Sequence, residues 1–140
     1  MQEIDFAEVL AKLLKQDPRY HQEAYLFLRE ALDHTQKSVA KAGKGEIRHV
    51  SGQELLEGIR QYGLAQFGPM TQLVFNEWGV RRCEDWGEIV FNLVENNLLR
   101  KTERDTRADF QGAYDFLEAF RKPFLPATRT TQPASEAKAS

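Results

Sequence analysis

The 140-residue chain is poor in the side chains that most chemistry needs: it has one cysteine, three histidines and no surplus of either charge. A lone cysteine excludes an internal disulfide and agrees with a reducing compartment. Lys and Arg number 19 against 21 Asp and Glu, for a net charge of -2, so no global field draws the protein to nucleic acid or to an acidic membrane. No apolar run approaches the roughly 20 residues of a membrane span, and a start bearing Glu3, Asp5 and Glu8 is unlike a signal peptide, so the expected location is cytoplasmic. Gly43 and Gly45 are too few for a phosphate-cradling loop and follow no strand. His21 and His34 sit on one expected helix, roughly 20 Å apart along its axis and on different faces, so they cannot share a metal. Glu103, Asp105 and Asp109 share a loop but lack the glycine and the twelfth-position glutamate of a calcium loop; they read as solvated acids. No cofactor, metal or catalytic set is expected.

What the chain does have is clear helical punctuation. Hydrophobic residues make up 41% and aromatics 11%, enough for the core of one domain. Phe6, Val9, Leu10, Leu13 and Leu14 recur at helical spacing behind an acidic capping box of Asp5 and Glu8, predicting a first helix that ends at Asp17-Pro18. The same Asp-Pro pair is placed to cap a second helix, the longest, with Tyr20, Ala24, Phe27, Leu28, Ala31 and Leu32 along one face through to about Val39. Ala42 to Gly45 is a flexible break, and Ile47 to Val50 a short extended lead-in. The third helix start is specified four times over: Ser51 is the N-cap, Glu54 closes a capping box, and Val50 and Leu55 form a hydrophobic staple. Leu55, Ile59, Tyr62 and Phe67 give this helix its apolar face, and Gly68-Pro69 ends it. A short fourth helix starts at Pro69, with Met70, Leu73, Val74 and Trp78 as the expected buried stripe and Gly79 as the stop. In the fifth, Cys83 takes a cap position, Glu84 and Asp85 suit the positive end of the dipole, and Trp86, Ile89, Val90, Leu93 and Val94 repeat at helical spacing. Asn96-Asn97 is its left-handed exit.

Beyond it, Leu98 to Thr102 reads as a strand, Thr106 is placed to cap a single turn ending near Gly112, and Tyr114 and Phe116 alternate as a half-buried return strand would. Phe110, Ala113, Tyr114 and Leu117 also satisfy a helical period, so residues 98–117 are a hairpin, the reading adopted, or a helix. Both turn Phe110 and Tyr114 inward. Residues 125–140, rich in Pro, Thr, Ala and Ser, are expected to form a disordered tail, leaving residues 1–124 as a single helical domain. The fold class is therefore mostly α: a compact helical domain with a winged-helix-like core of the third, fourth and fifth helices plus a small β-hairpin, preceded by two N-terminal helices.

The runs Arg48-His49-Val50-Ser51-Gly52-Gln53-Glu54-Leu55-Leu56-Glu57-Gly58, Gln66-Phe67-Gly68-Pro69-Met70, Trp78-Gly79, Glu84 to Leu93 and Tyr114-Asp115-Phe116 together resemble an uncharacterised family of small bacterial proteins labelled Minf. The resemblance covers the chain from about Tyr20 to Phe124 and implies no activity, substrate or catalytic residue. Cys83 stands where a hydroxyl residue is expected in that family, which counts against redox work by the thiol.

In a winged helix the fifth helix would read DNA, yet it carries Glu84, Asp85, Glu88 and Glu95, with only Asn92, Asn96 and Asn97 as base readers. The cations lie around it. Arg81 and Arg82 precede it, Arg100 and Lys101 follow it, and Arg104 and Arg107 fall on the expected wing. These six are candidate nucleic-acid contacts or, in the plainer reading, a solvated rim pairing with Glu84, Glu103 and Asp105. His49 reads as a loop residue bonded to backbone. Cys83 reads as a substitute cap or a small buried residue, because Glu84 and Asp85 oppose a thiolate. Trp78 and Trp86 read as core residues that set the angle between the last two helices, and Gly58, Gly63 and Gly87 as close helix crossings. The function expected is a non-catalytic protein-interaction or regulatory module. It would hold an unknown protein partner or a second copy through the acidic face of the fifth helix or the Tyr20 to Phe27 face of the second. The alternative is a nucleic-acid-binding, winged-helix-like protein that uses the local basic rim.

Overall fold

The structure, a computed structural model, describes residues 6–43 and 49–126. Over these the chain is mostly helical. It forms α1 (Phe6–Gln16), α2 (Gln22–Ala42), α3 (Gly52–Phe67), α4 (Thr71–Glu77) and α5 (Cys83–Glu95), with 3-10 turns at Gly68–Met70, Arg107–Phe110 and Lys122–Phe124 and a π-helical turn at Leu117–Arg121. Asp5, Ile47, Arg48 and residues 127–140 of the expected tail lie outside the described residues. Among the described residues no helix is long and apolar enough to cross a membrane.

The α3 start forms as its residues dictate. Ser51 Oγ accepts from the Glu54 N–H at 3.1 Å, the Glu54 carboxylate accepts from the Ser51 N–H at 3.0 Å, and Val50 and Leu55 are buried below the cap. From there α3 runs along α2, its main packing partner. Gly58 lets the two backbones meet: a β-carbon there would fall on the Thr35 hydroxyl, which is buried and donates to the Ala31 carbonyl at 2.7 Å. Gly87 serves the same purpose on α5, where a β-carbon would stand 2.8 Å from that of Phe110. Gly58 and Gly87 thus mark close crossings as expected, against Thr35 and Phe110.

Aromatic rings fill the space these crossings enclose. Phe75 of α4 is fully buried, with ring centroids 5.1 Å from Trp86, 5.2 Å from Phe120 and 5.3 Å from Phe27, each edge-on. Trp86 is enclosed as expected; Trp78 is half-buried at the edge of the cluster, 5.5 Å from Phe27. The end of α4 is tied to the start of α2, because the His21 N–H donates to the Trp78 carbonyl at 3.0 Å and Gly79, with φ 87°, leaves room for the Arg19 carbonyl.

Two expectations need correction. Residues 98–117 form no hairpin, and no strand occurs among the described residues, so the winged-helix order has no wing. In the first expected strand the N–H groups of Leu98 and Leu99 return to the Leu93 carbonyl at 2.8 and 3.3 Å and that of Thr102 goes to Asp105 at 2.9 Å, while those of Asp105, Asp109 and Gln111 close local turns. The turn expected behind Thr106 does form, as the 3-10 turn Arg107–Phe110, with the Thr106 N–H held by Asp109 at 2.9 Å. Phe110 and Phe116 are buried and Tyr114 is half-buried, its hydroxyl donating to the Leu56 carbonyl at 2.7 Å.

The second correction concerns the α1–α2 junction. Asp17 does not cap α2; His21 does, its Nδ1 accepting from the Glu23 N–H at 3.1 Å. Asp17 instead joins the junction to α5. It holds Arg19 in a two-pronged pair at 2.6 and 2.8 Å and accepts from Asn92 at 2.9 Å, while Asn92 also donates to the Tyr25 hydroxyl at 3.0 Å. The Arg19 guanidinium is the main cause that keeps the Asp17 carboxyl well below the usual carboxylate range; burial opposes it and the Asn92 amide assists.

Two outcomes follow from this packing. Gly58→Ala should destabilise the fold by about 1–3 kcal/mol through overpacking, with Thr35→Ala restoring part of the loss in the double variant, as read from urea midpoints; additive single effects would count against the crossing. Because Asp17 titrates lower when folded than when unfolded, its pairing stabilises fully above the unfolded value near about 4 and is lost as pH falls toward the folded one. Urea unfolding of the wild type should therefore weaken more steeply below that point than unfolding of Asp17→Asn.

Candidate functional site

Three candidate regions were legible in the residues: the basic rim around α5, the polar residues His49, Cys83 and the acids near Asp105, and the two proposed docking faces. The structure does not bring the six cations together. Arg107 is engaged by Glu88 at 2.7 Å and Glu95 at 3.2 Å, with its guanidinium carbon 4.8 Å from the Phe91 ring centroid. Arg81 and Arg82 stand before the first turn of α5, whereas Arg100 and Lys101 lie beyond its far end, so the 13-residue helix puts about 20 Å between the pairs. Arg104 is exposed on the loop that follows. The expected partners Glu84, Glu103 and Asp105 pair with none of the six; the acids that do are Glu88 and Glu95, both taken by Arg107. Of the expected base readers, Asn92 is tied to Asp17 and Tyr25, and Asn96 donates to the Asn92 carbonyl at 2.8 Å.

The polar residues are likewise engaged in structure. His49 Nε2 meets Asp105 Oδ2 at 2.6 Å, a side-chain partner that the sequence did not indicate. Burial pushes the Asp105 carboxyl up, but the Thr102 N–H at 2.9 Å and His49 outweigh it and hold it below its ordinary value. Asp109 faces the other way, taking the Thr106 N–H and the Gln53 amide at 3.3 Å. Among the described residues no three His, Cys, Asp or Glu side chains converge as a metal site would require. Cys83 is buried at the first position of α5 and donates to the Tyr114 carbonyl at 3.3 Å; burial pushes its thiol up, in keeping with its reading as a small buried residue.

Both docking faces foreseen in the sequence are occupied within the molecule. Tyr20 and Phe27 are buried at 4% and 5% exposure. On the acidic face of α5, Asp85 accepts from the Tyr20 hydroxyl at 2.7 Å and the Arg81 N–H at 2.9 Å, and Glu88 meets both Arg19 and Arg107. The unsatisfied surface lies elsewhere. Met70 and Leu73, expected in the buried stripe of α4, are 50% and 53% exposed, and Leu117, Phe124 and Leu125 are 44%, 46% and 50% exposed. The turns 68–70 and 117–121 pack against α4 and against each other, and the turn 122–124 continues the second, so the elements that carry these side chains adjoin.

Register explains the exposure. Thr71 and Phe75, one turn apart, are the fully buried residues of α4; the Thr71 hydroxyl is anchored at 2.6 Å from the Gly68 carbonyl and 3.0 Å from that of Gly63. Leu73 then lies about 200° around the helix from Thr71 and must face outward. The one sequence signal for this was the Thr-x-x-x-Phe spacing, which competed with a longer apolar pattern that included Met70 and Leu73.

Comparison of the chain with family models, curated proteins and solved structures finds no match. The enclosure of Cys83 makes its own prediction: the native protein should react with a water-soluble disulfide reagent far more slowly than the urea-unfolded chain. Equal rates in the two states would show an accessible thiol.

Proposed function

We propose that this protein is a non-catalytic interaction module of the bacterial cytoplasm, a member of the Minf-labelled family it resembles, and that the apolar end of Met70, Leu73, Leu117 and Phe124 docks a second copy. The observation that carries this reading is the outward turn of Met70 and Leu73 on elements that adjoin the C-terminal turns, where Leu117 and Phe124 are exposed as well. Each such half-exposed side chain offers roughly 1 kcal/mol on burial. A second copy fits because the rim carries both signs. Glu118 pairs with Lys122 at 2.6 Å across one turn, and Arg121, next to Lys122 in the chain, is exposed, so a two-fold arrangement can set Glu118 of one protomer against Arg121 of its partner.

The nucleic-acid reading, with Arg81, Arg82, Arg100, Lys101, Arg104 and Arg107 as phosphate contacts, has less support: one cation is neutralised and the others are divided between the two ends of α5.

Sedimentation velocity across a micromolar to millimolar series tests self-association. The wild type should shift from monomer to dimer, and Met70→Glu with Leu73→Glu should raise the dissociation constant by about 100-fold or more, from the lost burial of two large side chains. A wild-type chain that stays monomeric throughout overturns the proposal.

A further inference from the structure

A cavity of about 270 Å³ opens between the middle of α2, the start of α3, the second half of α5 and the loop that follows it. Its walls are apolar, drawn from Leu32, Leu55, Val90, Val94, Leu99 and Phe110. Its polar lining differs in kind: His49, Arg100 and Lys101 are exposed and Asp105 is half-buried, so these groups stand at the mouth. The Asp105 carboxylate is already engaged, by His49 Nε2 at 2.6 Å and by the Thr102 N–H at 2.9 Å. Among the described residues Arg100 has no carboxylate partner and Lys101 Nζ reaches the Thr102 carbonyl at 3.4 Å. The first turn of α3 also lines the cavity through Ser51 and Gly52.

We propose that this cavity binds a small amphipathic acid, with an apolar body between α2, α3 and α5 and a carboxylate held at the mouth by Arg100 and Lys101. At roughly 30 Å³ per water-sized unit the space suits a ligand of roughly nine or ten non-hydrogen atoms. Burial of the body drives binding, and the two cations select an acid over a neutral or basic molecule of equal length. The site shares no residue with the apolar face of Met70, Leu73, Leu117 and Phe124, so this proposal and the dimer can fail independently.

The test uses the full chain labelled with nitrogen-15 and titrated with octanoate, octanol and octylamine. Octanoate should give saturable amide shifts centred on Ser51, Gly52, Leu55, Val94 and Leu99, and should bind about tenfold more tightly than octanol, with octylamine weakest. The exposed pair Arg100→Ala and Lys101→Ala should remove that tenfold preference and leave octanol binding unchanged. Val94→Phe, checked for helicity by circular dichroism, should abolish binding of both. No saturable shifts in this region, equal affinity for octanoate and octanol, or an octanoate affinity untouched by the Arg100/Lys101 substitutions would each overturn the proposal.

Discussion

The edge-on contact of the Phe75 ring with Trp86, Phe120 and Phe27 is what the rest of the structure depends on. It joins α4 to α2, to α5 and to the C-terminal π-helical turn at one point, although α4 itself is only seven residues long. So short a helix has little stability of its own, and tertiary packing must hold it. The ring contacts supply area and orientation together, because edge-on aromatic pairs favour a limited set of angles.

Once Phe75 points inward, most of the neighbouring arrangement follows. Thr71 is carried under the end of α3, where its hydroxyl meets the Gly63 and Gly68 carbonyls, and Leu73 and Met70 are carried out to solvent. At the other end of α4, Trp78 and Gly79 meet the α1–α2 junction, which Asp17 and Arg19 tie to α5 through Asn92 and Glu88. The polar side chains there are engaged in fixing helix ends and crossings. That leaves two places with unused potential: the exposed apolar side chains of Met70, Leu73, Leu117 and Phe124, and a cavity between α2, α3 and α5 lined by two cations that have no carboxylate partner among the described residues.

Local signals carried the helices. The Ser51 and Glu54 capping box, the Gly68-Pro69 stop, the Asn97 left-handed exit and the Thr106 turn all act within a few residues, and each is found where the sequence places it. The Asp17 network was not legible, because its partners Arg19, Asn92 and Glu88 include residues more than sixty positions away. The wing failed for a related reason: alternation in Tyr114 and Phe116 marks an inward face, but a strand also needs a partner backbone, and Leu98 and Leu99 had already turned their N–H groups back to Leu93.

The sequence by itself determined where α3 and α5 run, that α2 is the longest helix, that aromatic side chains fill the centre, and that the charges nearly balance over the chain as a whole. Only the tertiary structure decided which side of α4 is buried, that Arg107 pairs with Glu88 and Glu95, and that a cavity remains between α2, α3 and α5. The physical reason is range: caps and helical periods are set by neighbours three or four residues apart, whereas the rotation of a short helix and the pairing of exposed charges are set by whatever distant side chains the fold brings beside them.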